Sequence, residues 1–260
     1  MTSMRRFFAL YLIAFAMLCA GFYCIGQADA FYQSRDSNYN ISIASSGFTH
    51  VQGGLGSDLG NTATTSTSVT LSSTVKSGNA VLATVAWFRG SSSISVTDDK
   101  SNAYTTGDTL NVGAGCNLQT FYSLNLTNSP SVITATISFP VSGTATFWRI
   151  IADEFSGIAS FDTHSGQIQT GISGSNAMSS GSATTASNGE LVYGGGTPGC
   201  AANTTIANGT GFTATESGTS GDQQSMYGEY LVQPSAGSIA ATFSPTASTN
   251  TTTGMMTFVP

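Results

Sequence analysis

The sequence predicts an all-β chain, an antiparallel β-sandwich of jelly-roll type, and three observations carry that expectation. Short runs rich in Val, Ile, Thr, Phe and Tyr recur from Ser68 to the end of the chain. Clusters of Gly, Ser, Asn, Asp and Pro, the chemistry of tight turns, separate them. Beyond the first thirty residues no stretch repeats its apolar residues with the 3.6 period of an amphipathic helix.

Residues 1–30 read as a signal peptide. Arg5 and Arg6 form a positive n-region, Phe7 to Gly26 is apolar or small, and Ala28-Asp29-Ala30 fits the A-x-A cleavage rule. The alternative is an uncleaved anchor, because an apolar run of about twenty residues can span a bilayer. A polar lead-in follows at 31–67, with room for a first strand, and 68–260 reads as one β-sandwich domain.

The strands are expected in this order. Ser68 to Ser72 opens the domain. Ala80 to Phe88 is apolar on both faces through Val81, Leu82, Val85, Trp87 and Phe88, as in a strand covered on both sides. Ser93 to Thr97 and Asn117 to Leu124 come next. In Ser131 to Phe139, Ile133, Ala135, Ile137 and Phe139 alternate with Thr134, Thr136 and Ser138, the period of a half-buried strand. Ala145 to Phe155, Glu190 to Tyr193, Phe212 to Glu216, Ser225 to Val232, Ser238 to Phe243 and Gly254 to Val259 complete the set.

Charged residues make up 8 % of the chain, against about one-quarter in an ordinary domain, and about 75 Ser and Thr with 30 Gly replace them. A sequence pI near 4.5 with only 7 Lys and Arg cannot supply the phosphate contacts of a nucleic-acid binder. Hydrophobic residues at 40 % argue against charge-driven disorder. After cleavage the cations are Arg35, Lys76, Arg89, Lys100 and Arg149, and few catalytic constellations can be assembled from them, so binding is favoured over catalysis. Export would also carry Cys116 and Cys200 into an oxidising compartment, where they are expected to bond.

Candidate chemistry is sparse. His50 and His164 are the only bases for a Ser hydrolase, and no G-x-S-x-G elbow is present. For glycoside hydrolysis, Glu154 and Glu229 form the best carboxylate pair among Asp153, Glu154, Glu190, Glu216 and Glu229, because apolar and aromatic neighbours flank both. The alternative is that Glu154 pairs with Arg149 or caps backbone amides and that Glu229 faces solvent. Asp98, Asp99, Asn102 and Asp108 have the ligand types of structural calcium, or else Asp98 and Asn102 make a hairpin turn by Asx-type bonds. For carbohydrate, Tyr104, Tyr122, Tyr193, Tyr227 and Tyr230 are the candidate stacking platforms, while Trp87 and Trp148 read as core.

Seven stretches also stand in a recognisable order: Gly78 to Trp87, Ile94 to Tyr104, the Phe121-Tyr122 pair, Val132 to Phe139, Arg149 to Gly157, Asn188 to Gly194 and Ala236 to Phe243. Over roughly residues 50–260 this order resembles a module recurring in large secreted and surface proteins of environmental bacteria. The resemblance implies a jelly-roll or lectin-like sandwich in an extracellular setting and carries over no catalytic residue. Two positions depart from it: Ser101 stands where the hairpin usually has Gly, and Thr251 to Val259 has threonines and Met255-Met256 where an aromatic is common. The expectation is a secreted or cell-surface protein, with the periplasm as an alternative site, that binds a polysaccharide or cell-surface glycan or acts in adhesion. Two alternatives stay open: a polysaccharide-active enzyme using the carboxylate pair, and a self-associating subunit of a surface layer, filament or matrix.

Overall fold

The computed structural model describes residues 47–88, 93–110, 116–138, 146–200, 204–218, 224–247 and 249–260. The expected signal peptide, residues 31–46 of the lead-in, and the positions of Arg35, Arg89 and Phe139 lie outside the described residues.

Among the described residues every helix or strand is a strand, and every pairing is antiparallel. The first half of the chain holds β1 (Thr49–Leu55), β2 (Ser66–Thr70), β3 (Ala80–Phe88), β4 (Ser93–Asp98), β5 (Thr105–Leu110), β6 (Cys116–Ser123), β7 (Val132–Ser138) and β8 (Thr146–Ser156). They form a five-stranded sheet in the order β1-β8-β3-β6-β5 and a three-stranded sheet β2-β7-β4. The second half holds β9 (Ser160–Ile172), β10 (Met178–Ser179), β11 (Ala183–Thr184), β12 (Glu190–Thr197), β13 (Ile206–Asn208), β14 (Thr213–Ser217), β15 (Tyr227–Gln233), β16 (Ser238–Ile239), β17 (Thr242–Pro245) and β18 (Thr249–Val259). Its five-stranded sheet runs β14-β15-β12-β18-β9, with β10-β17-β13 and β11-β16 as small sheets.

The two halves share one strand order. Read from its other edge, the second large sheet is β9-β18-β12-β15-β14, which matches β1-β8-β3-β6-β5 position for position. The small sheets match β2-β7-β4 if β10 and β11 are one interrupted strand and β16 and β17 another. Ser180 and Ala241 sit at those interruptions and bridge them, with both backbone N–H groups donating across at 3.0 Å. Residues 49–67 therefore belong with the first of two units of one strand order, which together make one compact body of the described residues.

Side-chain alternation explains how the sheets stack. In β3, Val81, Ala83, Val85 and Trp87 pack with Val69, Val96, Ile133 and Ala135 of the small sheet. Leu82 on the other face packs with Phe155, Leu191, Tyr193, Met256 and Phe258, joining the two large sheets face to face. Beyond the second large sheet, Val192 and Met255 meet Ala241, and Tyr227 meets Met178, Ile206 and Phe243. β3 is apolar on both faces because both are covered.

At the centre, Gly228, Gly195, Gly254 and Gly166 stand side by side across four strands of the second large sheet. Opposite them, Ile151, Thr84 and Thr120 are in register across the first. A β-carbon on Gly195 would lie 2.6 Å from Thr84 Cγ2, and one on Gly254 would lie 3.1 Å from Leu118 Cδ2. The missing β-carbons let the sheets approach closely.

Candidate functional site

A groove of about 410 Å³ opens where β3 and β12 end. The first unit contributes Phe88 and Cys116, and the second contributes Ile168, Thr170, Pro198 to Cys200 and Thr249 to Thr252. Cys116 and Cys200 are disulfide-bonded, with Cα atoms 5.0 Å apart across 84 residues of sequence, so the expected bond ties the two units at the groove wall. Among the described residues no lining side chain is ionisable, because both cysteines are oxidised. Ile168 is 41 % exposed, one of two large apolar side chains in that state among the described residues. Thr249 Oγ1 donates to Pro198 O at 2.5 Å and Thr252 Oγ1 to Cys116 O at 3.1 Å, while the buried Oγ1 of Thr251 has no hydrogen-bond partner.

A second cluster lies toward the opposite end of the strands. Asp153 on β8 is fully buried between the large sheets; its Oδ1 is 2.8 Å from His50 Nε2, and its Oδ2 accepts a 2.7 Å bond from the Tyr193 hydroxyl. The His50 ring stacks on Tyr230, with centroids 5.7 Å apart, and tilts against Phe155 at 5.0 Å. Glu216 on β14 reaches the same spot: a β-carbon on Gly53 would lie 2.8 Å from its Oε1 and 3.3 Å from Asp153 Cγ. Burial, then the Asp153 charge, raises the Glu216 carboxyl above its ordinary value, and nearby His50 partly offsets this. Burial followed by the same Asp153 charge pushes Tyr193 well above the usual tyrosine range, so its hydroxyl stays a donor. Among the described residues no Ser, Thr or Cys side chain is shown hydrogen-bonding His50, so the arrangement is not a hydroxyl- or thiol-based triad. The His50 side chain is mostly buried, at 21 % exposed, whereas that of His164 is exposed at 46 %.

The structure does not bring Glu154 and Glu229 together. Glu154 shares the face of β8 that carries Ile150 and Ala152 toward the small sheet, away from the second unit. There it accepts from Gln52 Nε2 at 2.6 Å, from the Lys76 backbone at 2.9 Å and from Asn79 Nδ2 at 2.5 Å, and so caps a turn without using Arg149. Glu229 points the other way from the centre and is buried, with the Gly209 and Thr242 backbones and Asn208 Nδ2 as donors. Both large sheets lie between the two carboxylates. Asp98 binds the Lys100 and Asn102 backbones, Asn102 Nδ2 and the Tyr104 hydroxyl, which makes the Asx-type turn, and Asp99 binds the Ser131 and Val132 backbones. Asp108 lies apart from them, near Thr120 and His164. No group of three or more His, Cys, Asp and Glu that could hold a metal ion occurs among the described residues.

The candidate tyrosines belong mostly to the core. Tyr193 and Tyr227 are buried, the latter donating to Thr204 O at 3.2 Å. Tyr104 bonds Asp98, and Tyr122 stacks on Phe161 with centroids 4.9 Å apart. None of the five lines the groove. Its residues, Phe88, Ile168, Thr170 and Asn250, gave no motif in the sequence, only the hydroxyl-rich composition that surrounds them. Comparison of the chain with family models, with curated proteins and with solved structures finds no match.

Proposed function

We propose that the protein is a secreted or cell-surface β-sandwich, each unit of jelly-roll type, whose role is carbohydrate binding in adhesion. The observation that carries this reading is the groove beside the disulfide, whose described residues supply hydroxyls, an amide, Phe88 and Ile168 and no ionisable side chain. A neutral sugar presents hydroxyls that trade hydrogen bonds with Thr and Asn, and C–H faces that rest on apolar side chains. The jelly-roll reading rests on the order β1-β8-β3-β6 lying beside β2-β7-β4, and the extracellular setting on the leader and the disulfide.

The test is a pull-down on neutral polysaccharides followed by titration calorimetry on the best of them. Ile168→Asp places a charge in the groove on an exposed position and is expected to weaken binding at least about tenfold, roughly 1.4 kcal/mol, with the fold unchanged. Absence of binding across the panel, or binding indifferent to Ile168→Asp, overturns the reading. Cleavage of a polysaccharide by the purified chain would replace it with a hydrolase.

A further inference from the structure

The chain has two Asn-Gly steps, Asn188-Gly189 and Asn208-Gly209. At such a step the glycine backbone nitrogen can attack the asparagine side-chain carbonyl, because glycine has no β-carbon to shield its amide. The fold surrounds the two steps differently. Asn188 is exposed; its Oδ1 accepts from the Ala236 backbone at 2.8 Å, and the Gly189 N–H donates to the Gln233 carbonyl at 2.8 Å. Both of those partners are backbone groups. Asn208 ends β13, and Gly209 opens the turn that follows, where its carbonyl accepts from the Phe212 N–H at 3.1 Å.

At this second step one carboxylate oxygen touches both nitrogens that ring closure involves. Glu229 Oε2 accepts from the Gly209 N–H at 2.9 Å and from Asn208 Nδ2 at 3.3 Å. Its other oxygen accepts from the Thr242 backbone at 3.0 Å, and the side chain is fully buried, so the carboxyl is held in place. A β-carbon on Gly209 would lie 2.3 Å from the Thr242 carbonyl oxygen, so glycine is required there. Closing the ring needs a proton taken from the attacking nitrogen and one given to the departing nitrogen, and a single group in contact with both can do each in turn. Burial raises the Glu229 carboxyl to about 7, so it exchanges its proton readily near neutral pH.

We infer that Asn208-Gly209 is a self-modification site at which Glu229 is the catalytic residue. Gly209 N attacks Asn208 Cγ while the Glu229 carboxylate takes the N–H proton, and the new C–N bond closes a succinimide ring. The Cγ–Nδ2 bond then breaks as Glu229 returns the proton to Nδ2, and ammonia leaves. Solvent water opens the ring at either carbonyl and leaves aspartate or isoaspartate at 208, with no oxidant or reductant involved. The product sets a second carboxyl group beside Glu229 where β13 pairs with β17. Two carboxyls in one buried place oppose each other's ionisation, so the modification weakens that pairing.

Incubation of the full, oxidised chain at neutral pH, sampled over time by mass spectrometry, tests this. Cleavage after Glu190 and Glu216 puts the two asparagines on separate peptides. Loss of one ammonia, followed by gain of one water, reports the reaction at each. In the folded chain Asn208 is expected to react at least about tenfold faster than Asn188. In urea, with the disulfide kept, the two rates should fall to the same order, because only the fold brings Glu229 to Asn208. Glu229→Gln, shown by circular dichroism to be folded, should slow Asn208 at least about tenfold and leave Asn188 unchanged. Should that variant fail to fold, the wild-type comparison with and without urea decides by itself. A folded Asn208 rate less than about tenfold above that of Asn188, an advantage that persists in urea, or an Asn208 rate unchanged in folded Glu229→Gln overturns the inference.

Discussion

Gly195 of β12 lies directly against Thr84 of β3, where the two large sheets meet face to face. A β-carbon added to Gly195 would fall 2.6 Å from Thr84 Cγ2 and 2.8 Å from Thr84 Cβ, and Thr84 is fully buried on a central strand with nowhere to move. Gly195→Ala is therefore expected to destabilise by about 2 to 3 kcal/mol, the range of overpacked cores, although Ala is the better strand residue in isolation. Urea unfolding reads the loss. Adding Thr84→Gly opens the space again, and a double-mutant cycle should show a favourable coupling of at least about 1 kcal/mol. Additive effects would mean that the sheets do not approach as closely as described.

Ser101 has φ of 60°, in the left-handed region, where its backbone N–H donates to Asp98 O at 3.1 Å to close the hairpin turn. Its side chain is exposed, so the β-carbon is strained without compensation by packing. Gly adopts this backbone angle without the steric cost that a β-carbon meets there. Ser101→Gly is expected to stabilise by about 0.5 to 1 kcal/mol, visible as a higher midpoint of thermal unfolding. A loss of stability would show that Ser101 makes a compensating contact.

The legible parts of this fold are those in which one residue type at one spacing has a single physical use. Ala80 to Phe88 was readable to its ends because a strand covered on both faces is apolar throughout, and β3 is covered on both. The disulfide was readable because cleavage at the expected site would leave two cysteines. β12 was cut short at Tyr193, since Gly194 to Gly196 looks like a turn; those glycines are strand because neighbouring layers press on both faces. β9 was missed entirely: Ser160 to Ile172 is an edge strand, half exposed, and its Ser, Thr, Gln and His carry no apolar alternation. The His50–Asp153 contact spans 103 residues, and nothing local announces it. The one available sign was a pair of carboxylates, Asp153 and Glu154, inside an apolar strand, which requires partners without naming them.

Glu229 gives the fold a definite pH dependence. Burial raises its carboxyl to about 7 from an ordinary 4.5, and the donated hydrogen bonds from Gly209, Asn208 and Thr242 only partly oppose that. A carboxyl whose folded value is raised binds its proton more tightly when folded, so its contribution is full below about pH 4.5 and is lost as the pH rises through about 7. The difference amounts to about 3 kcal/mol. Glu216 and Glu190 shift in the same direction, both mainly by burial. Unfolding by urea should thus require less denaturant at about pH 8 than at about pH 5. Glu229→Gln is expected to be less stable than wild type at the lower pH, because an amide N–H₂ meets donors, yet to lose less on going to the higher pH. An unchanged pH slope in Glu229→Gln would show that Glu229 ionises at its ordinary value.

The disulfide carries a stability that depends on chain length rather than on local packing. It closes a segment of 84 residues and joins the start of β6 in the first unit to the loop after β12 in the second. In the chain-entropy account a loop of that size stabilises by about 4 to 5 kcal/mol, because the unfolded chain loses the freedom to separate its ends. Reduction should therefore lower the unfolding midpoint strongly and should also free the groove wall, since Cys116 and Cys200 both line it. Thiol titration of the denatured, unreduced chain is expected to find neither Cys116 nor Cys200 free. The Cys116→Ser, Cys200→Ser double variant separates the two consequences: its stability should fall by the amount seen on reduction, and its glycan affinity should fall further than that of a variant destabilised equally at Gly195. Equal affinity in the two variants would show that the disulfide holds the units together without shaping the groove.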